Sequence, residues 1–125
     1  MHTRWIKRAE RYYELAHRMF ELRYYPEACF YAQQCIEFLL KGLSIKYVGA
    51  RPYTHDLLVM YSGLREYLGV DVDEGKLYCL KYLTEHYIGS RYPDARISEY
   101  DLDDARRCIE CLEGLWNVFK SKESL

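Results

Sequence analysis

The sequence lacks most of the marks by which a chain announces its business. No apolar run approaches the roughly 18 to 20 residues needed to cross a bilayer. The opening segment, MHTRWIKRAERYYELAHRMF, has neither the uninterrupted apolar core nor the small-residue cleavage site of a signal peptide, which implies a cytoplasmic protein. Apolar residues nowhere alternate at period two for long enough to suggest a sheet. There is no nucleophile elbow, no phosphate-binding glycine loop and no HExxH, which removes the commonest hydrolase, nucleotide-triphosphatase and metalloprotease templates. His2, His17, His55 and His86 are scattered, with no two at ligand spacing, so neither a metal nor a cofactor is expected.

Charge of either sign is not in large excess. The formal net charge is −1 across 125 residues, too close to neutral for a protein that must grip a phosphate backbone through its overall field. The distribution is uneven, with nine Lys and Arg against five Asp and Glu up to residue 51 (+4) and nine against fourteen beyond it (−5). Arg4, Arg8, Arg11 and Arg18 fall along one flank at helical spacing, a solvated face or a locally basic surface.

What is present is 50% hydrophobic and 30% charged residues, the balance of one ordinary globular domain spanning 1–125. Five cysteines, Cys29, Cys35, Cys79, Cys108 and Cys111, make an odd number, which argues against a closed disulfide framework. Cys108 and Cys111 form a CxxC on the apolar side of a helical segment, with no second pair to complete a metal site. They are expected to be buried, inert thiols, with a disulfide as the alternative.

Helical periodicity covers most of the chain. Trp5, Ala9, Tyr12, Ala16 and Met19 form the stripe of a first helix over about 3–23. Pro26 suits the first turn of the second, whose apolar arc is wide: Ala28, Ala32, Cys35, Leu39 and Gly42 on one line, Tyr31, Phe38 and Ile45 on another. Such a helix belongs at the centre of a bundle. Gly49 ends it, Thr54 is placed to cap a third with Leu57, Tyr61, Leu64 and Leu68 inward, and Gly69 ends that. Asp71 or Asp73 opens a fourth carrying Leu77, Leu80, Leu83 and Tyr87, with Gly89 as its stop. Asp101 with Asp104 starts the fifth, in which Ala105, Cys108, Leu112, Leu115 and Phe119 face inward to about residue 120. The fold class expected is all-α, a five-helix up-and-down bundle.

Three places carry polar residues that a bundle does not require. Gln33, Gln34, Glu37 and Lys41 make a narrow polar strip on the second helix, either an i,i+4 pair or the wall of a groove. Thr54-His55-Asp56 opens the third helix. The segment GSRYPDARISEY, 89–100, breaks the periodicity: Arg91 offers a planar fork of donors for phosphate or carboxylate, Tyr92 a flat stacking surface, and Pro93 a rigid turn before Asp94. Its structural alternative is a hook in which Tyr92 plugs the bundle, Asp94 caps a turn and Arg91 pairs with Glu37 or Glu85. As a binding site, Arg91, Tyr92, Asp94, His55, Lys41 and Glu37 would edge one groove.

The combination of YPEACFYAQQCIEFLLKGL, THDL and SRYPDA, in this order across nearly the whole chain, resembles the HEPN domain, a family named for nucleotide binding in higher eukaryotes and prokaryotes. The resemblance implies a bundle related to the substrate-binding domain of kanamycin nucleotidyltransferase. It also implies a homodimer and work beside a minimal nucleotidyltransferase as a toxin-antitoxin pair. Some members are metal-independent endoribonucleases using an arginine with a histidine a short set distance downstream, one pair from each protomer. Here the motif departs: no histidine follows Arg91 through residue 98, Arg51 and His55 are too close, and Arg11 with His17 meets the spacing but on the first helix. The reading is therefore a non-catalytic nucleotide or RNA-binding and interaction module, with a degenerate ribonuclease as the alternative. Fourteen tyrosines exceed what so small a core can bury, which favours an interaction surface.

Overall fold

A computed structural model of the chain describes residues 1–96 and 98–124. Within them run α1 (His2–Glu21), α2 (Tyr25–Val48), α3 (Leu57–Leu68), α4 (Glu74–Gly89) and α5 (Leu102–Lys120), with a 3-10 turn at Pro93–Ala95. No strand occurs among the described residues. The all-helical bundle is as the periodicity predicts.

The helix ends follow local chemistry. Pro26 sits in the first turn of α2, where a missing N–H costs nothing, and Gly49 closes that helix at φ 89°, a conformation that a side chain resists. Asp73 caps α4 by accepting from Lys76 N–H. Asp101 and Asp104 form a reciprocal capping box at α5. The cap of α3 differs from expectation. Asp56, not Thr54, accepts from Leu58 and Val59 N–H, because the helix starts at Leu57 and Thr54 lies too far back; its hydroxyl accepts from Asp56 N–H instead. Gly89 is the last residue of α4 rather than its stop, with Ser90 as the cap.

Helix α2 is the axis of the bundle and touches all four other α-helices. Ala28, Ala32, Cys35 and Leu39 are buried, and so are Ile36, Leu40 and Leu43 on its other sides. Removing each such leucine from water is worth on the order of 2 kcal/mol. The α1–α2 crossing is close at Gly42, where an added Cβ would stand 2.7 Å from Ile6 Cδ1 and 3.2 Å from Trp5 Cβ. The inward line expected for α5, from Ala105 to Phe119, is buried throughout.

The cysteines correct the expectation of free thiols. Cys29 is bonded to Cys108 and Cys79 to Cys111, so the two members of the CxxC reach different partners, on α2 and α4, rather than each other. Helical geometry explains this: residues three apart on one face project toward neighbouring helices, and packing brings a sulfur opposite each. Cys35 alone is free, and burial pushes its thiol up, away from reactive thiolate.

Candidate functional site

The polar strip of α2 folds inward onto one carboxylate. Glu37 is only 2% exposed, yet four side chains donate to it. Gln33 Nε2 lies 3.0 Å and Gln34 Nε2 3.3 Å from Oε1, Lys41 Nζ lies 2.9 Å from Oε2, and His55 Nδ1 stands 3.0 Å from both oxygens. Lys41 is itself 5% exposed, so this is a desolvated pair and not a surface one. Gln33 also donates to the His55 carbonyl at 3.2 Å, which ties the entry of α3 to α2. The strip that could have walled an open groove is thus filled by its own side chains, because a buried carboxylate requires donors.

Glu37 orients His55. An ionised carboxylate only accepts, so the imidazole places its Nδ1–H toward Glu37, which in the neutral ring leaves Nε2 as the acceptor. The ring is about half exposed and stacks on Tyr87, with centroids 3.7 Å apart and planes 14° apart. Arg91 uses the same ring, its guanidinium 4.3 Å from the Tyr87 centroid and its Nε donating to the Tyr87 carbonyl at 2.9 Å. Tyr92 lies beside it, with the guanidinium 5.3 Å from its ring centroid. The structure therefore joins Glu37, Lys41, His55, Arg91 and Tyr92 in one chain of contacts through Tyr87.

Parts of the hook reading fail. Tyr92 is exposed rather than plugged into the bundle, since Pro93 turns the backbone along the surface. Asp94 caps nothing among the described residues: the 3-10 turn has Tyr92 at its N-cap and no side-chain cap bond, and Asp94 stands exposed beyond the contact chain. Arg91 forms no ion pair with Glu37 or Glu85 among the described residues, because Glu37 is already occupied and the Tyr87 ring takes the guanidinium.

Tyr87 is the member that sequence reasoning missed. Its i,i+4 spacing from Leu83 reads as core, and the same spacing toward Arg91 is the signal that could have placed it under that residue. His17, the partner in the Arg11 motif, is held on both ring nitrogens, by the Tyr13 carbonyl and by Glu113, each at 2.9 Å.

A second polar cluster lies under the 89–100 segment. His86 is 4% exposed, its Nδ1 is 2.5 Å from the Tyr100 hydroxyl, and its Nε2 is buried with no partner among the described residues. Arg96 stacks over the Tyr100 ring at 3.9 Å and pairs with Asp104 at 3.3 Å. Burial, helped by the Arg96 charge, lowers the His86 pKa to about 4. Burial also pushes the Tyr82 and Tyr100 phenols up to about 12.

Comparison with known proteins agrees with this architecture. The crystal structure of TT1696 from Thermus thermophilus superposes with a TM-score of 0.85 at 29% identity, covering 97% of each chain. The crystal structure of ST0689, an archaeal HEPN homologue, gives 0.75 at 31% identity over 97% of this chain and 96% of that one. A protein of Methanocaldococcus jannaschii bearing the name "Putative toxin MJ1304" is 25% identical over 92% of this chain and 83% of its own length. The model of the HEPN domain matches residues 2–122. With the family's domain spanning nearly all of its length, this chain belongs to the HEPN domain family.

Proposed function

We propose that the protein is a toxin-antitoxin-type HEPN module that binds a nucleotide or RNA at the edge formed by His55, Arg91 and Tyr92, as a homodimer acting with a minimal nucleotidyltransferase. One observation carries the ligand site: His55 and Arg91 share the ring of Tyr87, next to an exposed Tyr92. A guanidinium held on an aromatic ring keeps its outer N–H groups free for a phosphate, and an exposed tyrosine offers a base a stacking surface worth about 1–3 kcal/mol. Lys41 and Glu37 serve from beneath, fixing His55, and do not reach the ligand. The toxin-type role is supported by the name of the archaeal relative.

Titration calorimetry with ATP, GTP and short RNAs on the wild type and Arg91→Ala tests the binding reading. Micromolar binding that weakens at least tenfold in the variant supports it; no binding by either protein sinks it.

A second reading is favoured by the Glu37–His55 contact. A carboxylate that orients an imidazole with an open Nε2 is half of a general-base arrangement, with Arg91 as the anion-stabilising partner. Metal-free incubation with RNA separates the two readings, since cleavage lost in His55→Asn selects the ribonuclease and intact RNA selects the binding module.

A further inference from the structure

The unpartnered nitrogen of His86 points to a site unconnected with the Tyr87 stack. Three helices converge here: Cys29 comes from the first turns of α2, His86 from the last turn of α4 and Cys108 from α5. The ligand atoms of these three buried residues lie within 4.8 Å of one another. His86 Nε2 is completely enclosed and meets no hydrogen-bond partner among the described residues. An orphaned polar group of this kind costs about 1–3 kcal/mol, so a native core retains one where something else fills its need.

We propose that, when the Cys29–Cys108 disulfide is reduced, Cys29, Cys108 and His86 form a binding site for a zinc-class divalent cation. Two thiolates and one imidazole are an established zinc donor set, and this one brings no net charge into the core, because two negative sulfurs cancel the ion's double positive charge. The imidazole is already oriented for the task. In the tautomer that donates Nδ1–H to the Tyr100 hydroxyl, the enclosed Nε2 carries the lone pair for the ion, and the hydroxyl acts as the outer partner that metal-bound histidines require. The Asp104 carbonyl oxygen, 3.7 Å from Cys29 Sγ, is at hand for a fourth position.

The chemistry balances without an unnamed reagent. An external dithiol supplies two electrons and two protons to the Cys29–Cys108 bond and leaves as its own disulfide. The two thiols then release their protons to solvent as the cation binds. Reduction therefore exchanges a covalent staple for a coordinate one between the same helices, which keeps α2 and α5 joined in either redox state. The second bridge, Cys79–Cys111, has no histidine in such a cluster among the described residues and does not gain a site.

Cobalt(II) is the probe. The full chain is reduced with a phosphine under anaerobic, metal-free conditions and titrated with cobalt while sulfur-to-metal charge-transfer and ligand-field absorption are followed. The expected result is one equivalent of tetrahedral cobalt per chain, displaced by zinc. It is abolished in Cys29→Ser and Cys108→Ser, retained in the Cys79→Ser, Cys111→Ser double variant, and weakened about tenfold in Tyr100→Phe. His86→Gln should retain sulfur charge transfer while its ligand-field bands shift and affinity falls. If reduction alone unfolds the chain, zinc should restore its helicity in the wild type and not in Cys29→Ser. Absence of a charge-transfer band in folded reduced protein, a spectrum unchanged by Cys29→Ser and His86→Gln, or failure of zinc to restore an unfolded reduced chain would overturn the proposal.

Discussion

The imidazole of His55 lies almost parallel to the ring of Tyr87, 3.7 Å away; His55 lies in the loop just before α3 and Tyr87 in the last turn of α4. The contact matters because each ring is also held from elsewhere, His55 by buried Glu37 and Tyr87 by the guanidinium of Arg91. A charged surface residue is thereby connected to the interior of α2 through two aromatic faces.

If that stack is the ligand platform, the ring is what counts and its hydroxyl is not. Tyr87→Ala should reduce nucleotide or RNA affinity by at least as much as Arg91→Ala, whereas Tyr87→Phe should stay within about twofold, since cation–π and stacking contacts survive it. Calorimetric titration of the three variants checks this, and equal losses for Ala and Phe would argue against the platform.

Glu37 is the hinge of the buried network, and breaking a desolvated pair by removing one partner typically costs about 3–5 kcal/mol. Glu37→Gln should therefore lower the unfolding free energy by about 3 kcal/mol in urea titrations, by stranding the Lys41 ammonium. Adding Lys41→Met to Glu37→Gln should recover most of the loss. A double variant as unstable as the sum of the singles would show that the pair is not the source.

In the disulfide-bonded protein, His86 makes stability depend on pH. Its folded pKa of about 4 lies below the ordinary 6.5, so the unfolded chain takes up a proton more readily than the folded one. The contribution is intact above pH 6.5 and is lost as pH falls toward 4, reaching about 3 kcal/mol. The groups facing the ring are Arg96, which opposes its protonation, Asp104, which favours it, and the neutral phenols of Tyr82 and Tyr100. Urea titrations between pH 4 and 8 should show this slope in the wild type and a flatter profile in His86→Gln.

The crossing of α1 on α2 depends on the absence of a side chain at residue 42. Gly42→Val should cost about 1–3 kcal/mol, since its Cβ would run into both Ile6 and Trp5, and Trp5 Cβ cannot rotate away. Gly63→Val, where nothing outside the backbone of its own helix and its chain neighbours lies within 4 Å of the added Cβ, serves as the control in thermal melts.

Each bridge closes a long loop, 79 residues for Cys29–Cys108 and 32 for Cys79–Cys111, and is worth about 2–4 kcal/mol through restriction of the unfolded chain. Metal-free reduction should lower Tm markedly, with the Cys79→Ala, Cys111→Ala variant showing a smaller drop on reduction than the wild type.

Much of this molecule is written locally. The inward lines of α3 and α5, the proline in the first turn of α2, the glycine ending it and the Asp101–Asp104 box all follow from spacing and backbone preference within one or two turns, and these are determined by the sequence itself. The residues Glu37, His55 and Arg91 were recognisable as polar groups that a bundle does not need. Their connection was not, because it runs through Tyr87, whose spacing is that of a core residue. Tertiary structure alone decided that the Glu37 strip is buried, that Tyr92 is exposed, and that each cysteine of the CxxC meets a different helix. Those outcomes depend on which side chains arrive from segments distant along the chain, and no local period carries that information; only the packing of five helices around α2 does.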